Sequence, residues 1–119
     1  DEAGGADGLP EDVRAVYGGD WTLPAAQTHT PPYVYANFAV SRDGRVSFAL
    51  PGQLGGGEVS GFNPHDRWLM GLLRGRADAV LVGDGTLRLE PDHLWTCEYI
   101  CPDEPAFPAL RRLEGRRTY

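Results

Sequence analysis

Asp78-Ala79-Val80-Leu81-Val82-Gly83-Asp84-Gly85-Thr86 is the stretch on which the fold reading turns. Its first part is a short uninterrupted apolar run ending at a glycine, the pattern of a strand covered on both faces. Its second part supplies small residues and a hydroxyl just where the backbone must turn. Upstream, Asn63-Pro64-His65-Asp66 combines a capping side chain, a proline at the first helical position and a carboxylate at the positive end of the helix dipole. Trp68, Leu69, Leu72 and Leu73 follow at helical spacing, with Arg67 and Arg74 off the stripe, so the spacing predicts a helix that ends near Arg76. Further back, Tyr33-Val34-Tyr35-Ala36-Asn37-Phe38-Ala39-Val40 is β-branched and aromatic with little polar content and reads as another buried strand. Strand, helix, strand is the right-handed parallel crossover, and ligands bind such sheets at the carboxyl ends of the strands, where Gly83-Asp84-Gly85-Thr86 lies. The expected class is therefore α/β, a mostly parallel sheet with flanking helices.

The flanking segments fill in around this unit. Ser41-Arg42-Asp43-Gly44 carries turn chemistry, and Arg45-Val46-Ser47-Phe48-Ala49-Leu50 alternates as a half-buried return strand would, until Pro51. Residues 52–61 contain five glycines and read as a mobile surface loop or lid. Leu87 to Pro91 allows a turn of helix at most, Asp92 to Cys97 reads as a loop, and a last helix is expected from Pro105 to Glu114 with Phe107, Leu110 and Leu113 on one side. At the other end, residues 1–31 hold six acids against Arg14 alone and read as an acidic, loose leader, with one short helix between Pro10 and the Gly18-Gly19 stop. Residues 32–119 form the body.

With 119 residues the sequence accommodates one domain. All eleven cations are arginine, the net charge is −6, and no basic stripe exists for a nucleic-acid backbone. Apolar runs fall far short of the roughly 18–20 residues of a membrane span. Neither nucleic acid nor membrane is expected as a partner, and with no signal segment in view the cytoplasm is the default location.

Taken singly, the chemistry-bearing residues are ambiguous. Gly83-Asp84-Gly85-Thr86 could point N–H groups and a hydroxyl at a phosphate, but a tight turn that needs glycine is the commoner explanation. Ser41-x-Asp43-Gly44 could satisfy its own backbone. Cys97 and Cys101 offer two sulfurs, and His93 a third ligand, where a structural zinc site needs four, so two free thiols are favoured and no metal is assigned. His29, His65 and His93 share no useful spacing. Arg111 to Arg117 reads as a solvated helix end, and Trp95 could stack on a heterocycle or pack at a sheet edge.

In order, these signals reinforce one another. Pro32-Tyr33-Val34-x-x-Asn37-x-Ala39-x-Ser41-x-Asp43-Gly44-Arg45-Val46, then Leu73-Arg74-x-x-x-Asp78-Ala79-Val80-Leu81-Val82-Gly83-x-Gly85-Thr86-Leu87, then Glu90-Pro91, resembles the N-terminal half of the pyrimidine reductase of riboflavin biosynthesis. The resemblance covers roughly Pro32 to Pro91. It implies a dihydrofolate-reductase-like fold, incomplete here because the family continues with further strands and a Gly-Gly loop on the cofactor pyrophosphate. It also implies NADPH as hydride donor and 5-amino-6-(5-phosphoribosylamino)uracil as substrate. Gly83, Gly85 and Thr86 would line the cofactor. Asn37, Ser41 and Asp43, with Ser60 as a weaker contact, would meet the substrate, and Asp43 would be the catalytic carboxylate that orients it. A homo-oligomer, or a second chain or segment completing the sheet, would follow. The alternatives are a reductase of another pterin-like heterocycle and a non-catalytic binding or assembly relative.

Overall fold

Asn63 opens the longest helix as its sequence predicts: its Oδ1 accepts from the His65 N–H at 2.9 Å, Pro64 occupies the first turn, and the helix runs Pro64–Arg76. The computed structural model describes residues 8–23, 32–53 and 55–117. Within them the chain order is α1 (Glu11–Tyr17), α2 (Gly56–Ser60), α3 (Pro64–Arg76), α4 (Asp84–Leu89), α5 (Cys97–Ile100) and α6 (Ala106–Leu113).

The core is built on α3. Leu72 is buried with Cys97 of α5, Phe107 and Leu110 of α6, and Leu9 and Val13 at the start of the described chain. Gly71 and Gly75 lie one turn apart on the face toward α6, and each stands over Phe107: a Cβ on Gly71 would come within 2.5 Å of the ring. The two glycines thus form the groove that seats Phe107, which also packs obliquely on Trp68 with centroids 5.3 Å apart.

The C-terminal end of α3 leaves carbonyls without helical partners, and a cation is the natural donor there. Arg111 reaches back from α6 and donates through Nη1 to the carbonyls of Arg74 and Gly75, each at 3.2 Å, and of Ala77 at 2.7 Å. Beside it, Arg76 is 1% exposed, lies 4.9 Å over the Trp21 ring and pairs with Glu114 at 2.7 Å. Glu114 also takes Arg116 at 2.7 Å, and Arg116 reaches Asp78 at 2.5 Å. The arginine-rich end is therefore only in part the solvated helix end its charge suggested: Arg112 and Arg117 are exposed, whereas Arg111 is buried and Arg116 is half-buried. Arg74, placed off the apolar stripe by its spacing, is likewise buried.

The N-terminal helix stops at Gly18 as expected, with φ +78° and its N–H on the Arg14 carbonyl at 2.9 Å. Leu9 and Val13 anchor it in the core, so this part of the leader is not a loose arm. Asp20 ties the segment together by accepting the Leu9 N–H at 2.8 Å and pairing with Arg14 at 3.0 Å.

The expected parallel sheet is overturned. Among the described residues there is no sheet, only one isolated antiparallel bridge between Leu50 and Gln53. Residues 33–40 and 79–83 belong to no strand, and several of their apolar side chains are uncovered: Val34 and Phe38 are each 72% exposed and Leu81 is 91% exposed, while Tyr35, Val80 and Val82 are half-buried and the Tyr35 hydroxyl donates to the Leu73 carbonyl at 2.7 Å. Strand propensity records side chains that suit a half-buried pleated surface, but a strand exists only where a neighbour takes its N–H and C=O groups. Neither segment meets one here. The Ser41–Arg45 turn does close, with the Ser41 N–H on the Arg45 carbonyl at 2.9 Å, yet no ladder continues from it, and Ala49 adopts φ +53° where a return strand would need extended backbone. The glycine-rich stretch is not simply a loop either, since it contains α2, and α5 replaces part of the expected connector. No helix among the described residues is long and apolar enough to cross a membrane.

Candidate functional site

Two of the expected substrate residues meet. Ser41 Oγ donates to Asp43 Oδ1 at 2.5 Å, and Arg45 Nε donates to Asp43 Oδ2 at 3.1 Å, so a four-residue turn presents an exposed carboxylate with fixed partners. The Ser41 hydroxyl first, then the Asp43 backbone N–H, hold the Asp43 carboxyl below its ordinary value against the opposing effect of burial, with a lesser pull from Arg45. Near neutrality it is ionised, so it can accept hydrogen bonds and orient a polar group but has no proton to give.

Asn37 lies in the irregular segment of residues 33–40, exposed to solvent. Ser60 donates to the Gly57 carbonyl at 3.1 Å inside α2, so its hydroxyl serves its own helix and does not join the Ser41–Asp43 pair. The start of α2 lies instead near Ala39 and Glu90: a Cβ on Gly56 would stand 3.9 Å from Ala39, and one on Gly55 would stand 3.5 Å from Glu90 Oε1. A shallow groove of about 390 Å³ is lined by Phe48, Gly52, Gln53, Glu58, Gly61 and Phe62.

Gly83 and Gly85 behave differently from the glycines at turns. Gly83 caps α4 with φ −69° and ψ 150°, a conformation any residue adopts, and Gly85 lies inside α4. Neither has positive φ, and a Cβ on either would meet nothing within 4 Å. The turn explanation is thus removed: the chain's own backbone and packing do not require glycine here, although glycine within a helix costs about 0.5–1 kcal/mol relative to alanine. Thr86 follows in the same helix, exposed, and its carbonyl accepts the Glu90 N–H at 2.9 Å.

The sulfur and imidazole groups do not assemble. Cys97 is in the core, where burial and then its bond to Glu98 push the thiol up to about 12. Cys101 donates to the Arg67 carbonyl at 3.4 Å, and both cysteines are free thiols. No group of three or more His, Cys, Asp or Glu side chains able to hold a metal ion occurs among the described residues. His93 turns toward Arg74, with Nε2 3.3 Å from Nη1, and Trp95 lies under the same guanidinium at 4.9 Å rather than over a sheet edge. The Arg74–His93–Trp95 cluster escapes the sequence reading. Its only sequence trace is Glu90 three residues before His93, with two aromatics close behind.

No protein-family model, curated protein or solved structure matches this chain.

Proposed function

We propose that the protein acts as an NADPH-dependent reductase of the 5-amino-6-(5-phosphoribosylamino)uracil type, with Gly83, Gly85 and Thr86 on the cofactor side and the Ser41–Asp43 turn on the substrate side. The observation that carries this reading is the bare, unobstructed backbone at Gly83 and Gly85. Two glycines that neither conformation nor internal packing demands are explained by something outside the chain coming close to the main chain, as a dinucleotide does. The ordered resemblance from Pro32 to Pro91 supplies the substrate class.

NADPH would bring the hydride, and the chain's own residues would do the positioning. Gly83 and Gly85 leave their Cα atoms open to close approach, and Thr86 offers a hydroxyl one residue on. Asp43, ionised and tethered by Ser41 and Arg45, accepts hydrogen bonds from a polar substrate group and fixes its orientation. A proton needed by the product comes from elsewhere, because this carboxylate stays charged.

The test uses Gly85→Ala. It should raise thermal stability, by at most about 0.5–1 kcal/mol because Gly85 lies in the first turn of α4, and weaken NADPH binding measured by titration calorimetry. Unchanged NADPH affinity would refute the cofactor assignment. NADPH oxidation with the ribosylaminouracil phosphate tests the substrate separately: binding without turnover transfers the reading to another heterocycle. Asp43→Asn should lower kcat more than it weakens NADPH binding.

A non-catalytic assembly module is the second reading, favoured by the exposed Val34, Phe38, Val40 and Leu81. Sedimentation analysis of wild type and Phe38→Ser separates it: a self-associating protein that dissociates on this substitution supports assembly through that face.

A further inference from the structure

We propose that His93 is a pH-operated latch: neutral, it accepts a hydrogen bond at Nε2 from Arg74 and holds the connector of residues 90–96 against α3, and protonated, it releases that connector. This goes beyond the reductase reading and does not depend on it.

The geometry dictates the tautomer. Arg74 Nη1 lies 3.3 Å from His93 Nε2, and a guanidinium only donates, so Nε2 must carry the lone pair and the single ring proton sits on Nδ1. Nδ1 in turn faces Glu90 Oε2 at 3.8 Å. The same guanidinium donates to the Leu94 carbonyl at 3.4 Å and to Met70 Sδ at 3.3 Å, and lies 4.9 Å over Trp95. The His93 ring is packed between Trp95, at 4.4 Å, and Tyr99, at 4.7 Å. One imidazole therefore joins α3, the connector and α5.

The charged and titratable groups around it come from every neighbouring element. Arg74 faces it from α3, Tyr99 from α5 and Glu90 from its own connector, while Glu58 of α2 stands behind Glu90 across Gly55. Protonation turns Nε2 into a donor aimed at another donor, with like charges in a half-buried site. Glu90 offsets part of that cost from the other side of the ring. Burial first, then Arg74, lowers His93 below the ordinary 6.5, against the pull of Glu90. Because the folded value is the lower one, the closed connector keeps its full contribution above pH 6.5 and loses it as pH falls from there to the lowered value. The loss is roughly tenfold in the closing equilibrium for each unit of lowering.

The experiment is NMR on the intact protein with ¹⁵N-labelled histidine, combined with amide exchange at pH 7.5 and pH 5.0. His93 should show the Nδ1–H tautomer at pH 7.5 and titrate below 6.5. Protection of the His93, Tyr99 and Cys101 amides should fall between the two pH values while that of α3 holds. His93→Gln, whose carbonyl can accept from Arg74 without titrating, should keep its protection at pH 5.0. An Nε2–H tautomer at pH 7.5, a midpoint at or above 6.5, or equal loss of protection in His93→Gln overturns the proposal. If that variant fails to fold, the wild-type tautomer and midpoint still decide.

Discussion

Two regions of this protein use similar amino acids to opposite ends. Around α3, apolar residues from α1, α5 and α6 converge on Leu72 and Phe107, and buried arginines close the helix end. In residues 33–40, the same kinds of side chain lie outside any helix or strand, with Val34, Phe38 and Val40 open to solvent. Composition does not separate them. What differs is whether each segment satisfies its backbone locally: a helix makes its own hydrogen bonds and needs only one covered stripe, whereas an extended segment needs another strand.

Substitutions that treat the two regions alike should expose this contrast. Phe107→Ala empties the slot over Gly71 and Gly75 and should cost about 3–5 kcal/mol, read as a lowered Tm or denaturant midpoint. Glu114→Gln leaves Arg76 buried beside a neutral group and should cost about 3 kcal/mol, near the lower end for a broken buried pair because Arg116 keeps Asp78. Asn63→Ala removes the cap of α3 and should cost about 1 kcal/mol. Phe38→Ala, although it deletes the same ring as Phe107→Ala, should stay within about 0.5 kcal/mol of wild type. A large loss there would mean that Phe38 is covered in solution and would erase the contrast.

How far the sequence could be read follows the same division. The start of α3 is legible because Asn63, Pro64 and Asp66 act within one turn, and the end of α1 because Gly18 supplies positive φ on the spot. The segments that read as strands mislead because a β-rich run specifies readiness to pair and says nothing about where a partner is. Arg111 misleads for a related reason: its charge is visible in the sequence, whereas the open carbonyls of α3 that it serves belong to residues 34 or more positions away. In the candidate site, the Ser41–Asp43 turn is legible as local turn chemistry. The state of Gly83 and Gly85 is not, since deciding between a turn requirement and an outside contact takes the backbone angles and the empty space above each Cα.

The most direct test of this contrast is residue-resolved amide exchange at neutral pH across the whole chain. Strong protection is expected in the later turns of α3, and exchange close to that of an unstructured chain for residues 33–40 and 79–82. Joint protection of those two segments, with cross-strand contacts between them, would contradict it and restore a sheet.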